Sequence, residues 1–408
     1  MNSKKYKIKK LIQEIKDRLS NLYFGSSEIV DIFLAGILSG SNILLWSSWG
    51  KGKSWLAEAT AKLLGCSFSR IQGSAGLVES KFLARYNLPK LLQGEEIIHW
   101  HNFVEAKIKL FDEINRVPAT VLNSLFSMLA EKMVIYGNER KSLNAFVFIA
   151  TLNPADEGTI KSIPMPFLDR FDICLPMSTL NVIDKTKLLN IDKNCIYPVL
   201  KEDVIEDIWQ ETATIKITER IKFVTANMIR TLQICVQKND KEFLLDFPAV
   251  CDTCRFKESI CSKLLPNNPV SERAYLSTLK VAQGLVILQN QKEINLEHIF
   301  IVLPYVLIHR VKFLHEYEKQ HIDKISAIRN LVDYLRKKEF ERERAYKIIA
   351  EIKSANIQLL DLLHGWAQND LVLLEHYNNL KKEFASKSQE ENIQKFSLAQ
   401  LEESLRKI

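Results

Sequence analysis

Residues 42–54 read NILLWSSWGKGKS, and the reading of this stretch decides the fold. Ile43-Leu44-Leu45-Trp46 is an apolar run with the length of one buried strand. A loop follows, and Gly52-Lys53-Ser54 opens a segment of good helix formers, Leu56-Ala57-Glu58-Ala59. Strand, glycine loop, Lys-Ser and helix form the context in which a chain cradles phosphate. The expected phosphate cradle is Ser48, Trp49, Gly50, Lys51, Gly52, Lys53 and Ser54, with backbone N–H groups facing the anion. Lys53 is placed for the β- and γ-phosphates of ATP, and the Ser54 hydroxyl for Mg²⁺. The pattern G-x-x-x-x-G-K-[ST] begins with Gly, and this chain has Ser47 there. Taken alone, the stretch is also compatible with a plain strand-to-helix turn.

Further along, Ala106 to Phe111 is an apolar strand that ends in Asp112-Glu113. A strand-terminal Asp112 is suited to a second Mg²⁺ contact, and Glu113 to deprotonating an attacking water. The spacing lets this strand lie beside the 43–46 strand. Phe146 to Thr151 is another apolar run and delivers Asn153-Pro154 at its end. Open parallel sheets bind ligands at the carboxyl ends of their strands, so Asp112, Glu113 and Asn153 are expected to converge on the glycine loop. With strands near 67–71 and 173–176, the expectation is an α/β domain with a five-stranded parallel sheet. Beyond residue 178 the pattern turns helical, with segments near 201–211, 216–238, 271–290 and 295–314. Residues 94–103, GEEIIHWHNF, form a hairpin-like patch; His99 and His101 read as packing or, alternatively, as a metal pair.

The chain has 408 residues, a formal net charge of +7 and no apolar run near the roughly 20 residues of a membrane span. The N-terminus lacks the apolar core of a secretory signal, so a cytoplasmic location is expected. Residues 1–20 hold seven Lys/Arg against two Asp/Glu, either a solvated helix face or a patch for an acidic partner. From 316 to the end, 16 Lys/Arg balance 16 Asp/Glu, and the spacing of Ile325, Ile328, Leu331, Val332 and Leu335 suggests helices packed as a hairpin or small bundle.

The segments SSWGKGKS, KLFDEINRVPATVLNSLFSMLAEKMV, FIATLNPAD, PFLDRFD and VSERAYLSTLKVA, in this order, resemble the MoxR/RavA branch of the AAA+ ATPases over residues 5–314. The resemblance implies an ATPase core over 1–177, a helical lid over 178–315 and a helical extension over 316–408. It implies that Lys53 and Ser54 bind phosphate and Mg²⁺, Asp112-Glu113 complete the metal and water contacts, and Asn153 positions the water. Arg170 in LDRF is implied as an arginine finger acting on a neighbour's ATP, and Arg273 as the lid's sensor arginine. Arg170 is also readable as a surface partner of Asp169 or Asp172, Arg116 as an interface arginine or a helix-cap partner. An arginine acting in trans implies a ring, expected to be hexameric. The family further implies a chaperone-like role on a client complex, with a von Willebrand A-domain partner. A nucleic-acid motor or loader is the alternative, weakened by the lack of any recognition motif beyond the basic N-terminus.

Cys251, Cys254 and Cys261, with Cys235 upstream, are readable as four thiolates for structural Zn²⁺ or an iron–sulfur cluster, or as free thiols.

Overall fold

The computed structural model describes residues 2–153, 163–190, 196–233, 260–265, 270–353, 359–368 and 370–390. The chain divides into two compact units, Met1–Lys222 with Ser271–Arg310, and Phe223–Val270 with Val311–Ile408.

The first unit contains nine described strands: β1 (Ile43–Trp46), β2 (Phe68–Gln72), β3 (Ala84–Tyr86), β4 (Ile98–Trp100), β5 (Ile108–Asp112), β6 (Met133–Tyr136), β7 (Glu139–Ser142), β8 (Val147–Leu152) and β9 (Ile173–Pro176). Five of them form a parallel sheet in the order β2-β5-β8-β1-β9. Every residue of β5 is buried, as are Val147 to Thr151 of β8, because helices cover both faces of such a sheet.

The order corrects one expectation: β1 and β5 are not neighbours, because β8 runs between them. All three strands are apolar runs suited to a sheet centre, and hydrophobicity alone does not rank them. The consequence is functional. The strand that carries Thr151 and leads to Asn153 stands between the glycine loop and the acidic pair.

Helix Asn2–Leu22 buries Ile12, Ile15, Leu19 and Leu22 on one face. Helix Ser27–Leu38 is buried from Ile29 onward apart from Asp31, and feeds the chain into β1. Two small antiparallel pairs stand apart from the main sheet. One is β6–β7, turning at Gly137-Asn138. The other joins β3 to β4, with Ala84 opposite Trp100 and Tyr86 opposite Ile98. The 94–103 patch is therefore half of a longer hairpin, whose first strand, Ala-Arg-Tyr, is too short to show a period. His99 meets Asn87 at 3.0 Å, and His101 meets the Ser80 carbonyl at 2.9 Å, so each imidazole has its own local partner. From the helical region, Glu202–Ala213, Glu272–Leu288 and Leu296–Leu307 complete this unit.

The second unit is built around helices Lys324–Lys353, Leu360–Ala367 and Leu371–Glu390. Ile349, Ile352, Leu363, Leu373 and Leu380 belong to their shared core. Ile328, Leu331, Val332 and Leu335 are buried too, as the helical spacing predicts. A buried polar network ties the helices: Arg342 pairs with Glu339 at 2.5 Å and Asp370 at 2.8 Å, and donates to Thr231 at 2.9 Å. Among the described residues, no helix is long and apolar enough to cross a membrane.

Candidate nucleotide-binding site

Local backbone geometry shows which glycines the loop needs. Gly50 (φ 72°) and Gly52 (φ 76°) adopt left-handed conformations that side chains disfavour. Ser47 is not among the described residues with positive φ, so a serine fits there without strain. Its buried hydroxyl donates to the Ser48 carbonyl at 3.0 Å. Trp49 projects outward and is 71% exposed. Gly52 caps helix Lys53–Leu63, and no side chain caps it, which leaves first-turn N–H groups for an anion.

Around this loop the sheet assembles a cavity of about 290 Å³. Lys53, Ser54, Arg70, Asp112, Glu113 and Asn153 are among the residues that line it. Asp112 is its electrostatic centre. Its Oδ2 accepts the Ser54 hydroxyl at 2.7 Å and the Arg70 guanidinium, and its Oδ1 accepts the Thr151 hydroxyl. A serine hydroxyl and a carboxylate side by side are hard oxygen donors, the set Mg²⁺ selects. Lys53 donates to the carbonyls of Ser47 at 2.6 Å and Ser48 at 2.8 Å, so it lies folded against its own loop.

Glu113 occupies the left-handed region (φ 52°, ψ 52°), a conformation costing about 1–3 kcal/mol for a non-glycine residue. The Thr151 hydroxyl accepts its backbone N–H at 2.8 Å, and the Glu113 carboxylate takes Gln72 at 2.5 Å and Arg116 at 3.1 Å. Gly73 passes so close that a Cβ there would lie 2.3 Å from the Glu113 carbonyl oxygen. Asn153 is buried, and its carbonyl accepts from the Asn115 amide at 3.2 Å. Pro154 lies outside the described residues.

A second, more apolar cavity of about 440 Å³ adjoins the first and shares Gly50, Lys51, Gly52 and Trp55 with it. Tyr23, Phe24 and Leu180 also line it, and burial pushes the Tyr23 phenol up to about 12, keeping it neutral. Lys51 reaches Thr179 on its rim.

Comparison with known proteins agrees with this geometry. Residues 42–171 match the model of the AAA domain (dynein-related subfamily), and residues 259–330 match that of an AAA lid domain. The chaperone MoxR1 of Mycobacterium tuberculosis is 26% identical over 310 residues, 74% of this chain and 75% of that protein. The MoxR protein of Paracoccus denitrificans is 24% identical over 159 residues, 38% of this chain and 46% of its own. The chain carries an AAA ATPase domain with an AAA lid and is similar to MoxR proteins. YeaC of Bacillus subtilis, a protein of uncharacterized function, is 23% identical over 326 residues, 79% of this chain and 93% of YeaC. A solved protein of Cytophaga hutchinsonii shares the fold with a TM-score of 0.66 and 23% identity, covering 82% of this chain and 96% of that one.

Two arginines that the MoxR resemblance marks lie away from the cavity. Arg170 stacks its guanidinium 4.2 Å from the Phe126 ring centre, and burial followed by the nearby Arg273 charge lowers its pKa. Arg273 approaches Asp169 at 3.4 Å. Neither lines the cavity around Lys53. Asp169 is held by a residue that sequence reasoning missed. Arg310 is 1% exposed and reaches Asp169 at 2.8 Å, and it also donates to the carbonyls of Asp169, Phe171 and Asp172. Asp172 in turn takes Lys280 at 3.1 Å and Ser277 at 2.7 Å. Both aspartates of LDRFD thus fasten the loop to the lid helices instead of pairing with Arg170. Arg70, Gln72 and Thr151 were missed as well; they stand at a strand end or within two residues of one, where a periodic pattern records only burial.

Cys235, Cys251 and Cys254 lie outside the described residues, as does the side chain of Cys261, so the zinc expectation falls outside them too. Among the described residues no cluster of His, Cys, Asp or Glu could hold a metal ion.

Proposed function

We propose that this ATPase uses ATP hydrolysis to remodel or assemble a client protein complex, working as a subunit of a ring, expected to be a hexamer. The observation that carries this reading is the division of charged groups within one unit. Lys53, Ser54, Asp112, Glu113 and Asn153 line a single cavity, whereas Arg170 and Arg273 both flank Asp169 outside it. Lys53 and Arg70, the basic side chains of the cavity besides Lys51, are engaged by loop carbonyls and by Asp112, so a further cation for the transferring phosphoryl group would come from a neighbour.

In this reading the loop N–H groups and Lys53 bind the phosphates, and the apolar cavity beside Tyr23 takes the base. Ser54 and Asp112 would hold Mg²⁺, which neutralises phosphate charge when bound. Asn153 orients the water through its side-chain amide, and Glu113 accepts the water's proton as it attacks. Arg170 of one subunit, with Arg273 beside it, approaches the nucleotide of the next. The chaperone name of the mycobacterial relative supports the remodelling role, and the family likeness supports a von Willebrand A-domain partner and a cytoplasmic setting.

Complementation tests the trans arrangement. Arg170→Ala and Glu113→Gln are each expected to bind nucleotide and turn over at least about a hundredfold more slowly. Mixed, they should regain activity, because an Arg170→Ala site can face the intact Arg170 of a Glu113→Gln subunit. A mixture as inactive as its parts, under conditions where both variants co-assemble, would refute an in-trans arginine.

A further inference from the structure

Each of the two site carboxylates is paired with an arginine of its own chain. Arg116 holds Glu113, and Arg70 holds Asp112. The second pair bears on the metal position. Arg70 contacts Oδ2, the same oxygen that accepts the Ser54 hydroxyl, and Thr151 occupies Oδ1. The positive charge therefore sits where a cation bridging Ser54 and Asp112 would act. Lys53 donates to loop carbonyls.

The pair is not needed to join its strands. β2 and β5 are already in register from Phe68 opposite Ile108 to Gln72 opposite Asp112. Arg70 is opposite Leu110, so its side chain reaches along the sheet to meet the carboxylate. The Asp112 side chain is 7% exposed and that of Arg70 is 46% exposed. The carboxylate is fixed, and the arginine is the partner that solvent can receive.

We propose that Arg70 is a built-in counter-ion for the metal position: it neutralises Asp112 when no nucleotide is bound, and Mg²⁺ must displace it from Oδ2. The proposal rests on Ser54 and Asp112 being the Mg²⁺ ligands. It follows that metal alone binds this site weakly. It also follows that Arg70, once displaced, remains on the wall of the cavity that receives the phosphates. An empty site is thereby kept from holding an unproductive metal ion, and the uncompensated Asp112 charge never faces the glycine loop unpaired.

The experiment is Mn²⁺ binding to full-length, nucleotide-free protein, read by electron paramagnetic resonance, for wild type, Arg70→Gln and Arg70→Lys. Arg70→Gln is expected to bind Mn²⁺ about three- to tenfold more tightly, the scale of one half-exposed ion pair. Arg70→Lys, which keeps the charge, is expected to stay within about twofold of wild type, and it remains informative if the glutamine variant folds poorly. Unchanged or weaker Mn²⁺ binding by folded Arg70→Gln overturns the proposal. Adding Asp112→Asn to Arg70→Gln should abolish the gain. If the tighter site survives without Asp112, the metal-ligand reading itself is wrong, a failure distinct from that of Arg70.

Discussion

Arg310→Met tests how the loop that carries Arg170 is held. Arg310 gives its Nε to Asp169 at 2.8 Å and its two amino groups to the carbonyls of Val306 and Phe171 at 2.7 Å and of Asp169 and Asp172 at 3.1 Å. Methionine fills much of the same space and donates nothing. Removing one partner of a buried ion pair costs about 3–5 kcal/mol, chiefly because the remaining charge is stranded. Here Asp169 keeps the Ser271 hydroxyl at 2.7 Å and Arg273 at 3.4 Å, which places the expectation at the lower end, about 3 kcal/mol. Asp169→Asn in the Arg310→Met background removes the stranded charge, so the double variant should be less destabilised than the sum by about 1–2 kcal/mol. Urea unfolding followed by tryptophan fluorescence is the assay. Five of the six tryptophans (Trp46, Trp49, Trp55, Trp100 and Trp209) lie in the unit that contains both residues, so the signal reports that unit. A cost below about 1 kcal/mol, or strict additivity, would refute the reasoning. At temperatures where the variant stays folded, turnover should fall more than nucleotide affinity, because Arg170 follows Asp169 directly.

Three further substitutions probe the rest of the unit. Lys53→Ala should abolish binding of a fluorescent ATP analogue without unfolding the chain, since the Lys53 ammonium donates to the Ser47 and Ser48 carbonyls and the Ser47 hydroxyl within its own loop; retained affinity would contradict the phosphate role. Ser47→Gly should shift nucleotide affinity by less than about threefold, because residue 47 already has an ordinary backbone conformation; a gain of tenfold or more would show that the serine reshapes the loop. Burial lowers the pKa of the Lys109 ammonium from 10.5 to about 7, so between those pH values the unfolded chain binds the extra proton and stability rises with pH. Lys109→Met should remove up to about 1.4 kcal/mol of that rise per pH unit, and equal slopes in urea titrations at pH 7 and 9 would count against it.

The fold was legible because its signals are local. A four-residue apolar run, two glycines and a Lys-Ser helix start identify the loop, and the β5 and β8 runs lead into Asp112-Glu113 and Asn153. Neighbour order was not legible, since β1, β5 and β8 all read as buried strands; only the pairing showed β8 between β1 and β5, with Thr151 bonded to Asp112. Charge partners were the least legible part. Arg170 is flanked in sequence by Asp169 and Asp172 within three positions, and a local reading pairs them. The fold gives both aspartates to Arg310, Arg273 and Lys280, more than a hundred residues away in the chain, and leaves Arg170 against Phe126. Sequence proximity is a poor guide wherever a distant helix returns to cover a loop, because a buried arginine with several donors outcompetes an exposed one for the same carboxylate.

The same competition for charge runs through the expected nucleotide site. In one chain every chemically active group is already occupied: Lys53 by loop carbonyls, Asp112 by Arg70, and Glu113 by Gln72 and Arg116. Phosphates compete directly for Lys53, and a cation brought with them competes for Asp112. Glu113 accepts from two donors, Gln72 and Arg116, and any anion that enters the cavity, a phosphate included, competes with it for them. An anion near Arg116 can draw it away from Glu113, and a shift of β2 would withdraw Gln72. Arg116 is the exposed partner of its pair, with 44% of its side chain open against 28% for Glu113, so an approaching acidic surface can reach it first.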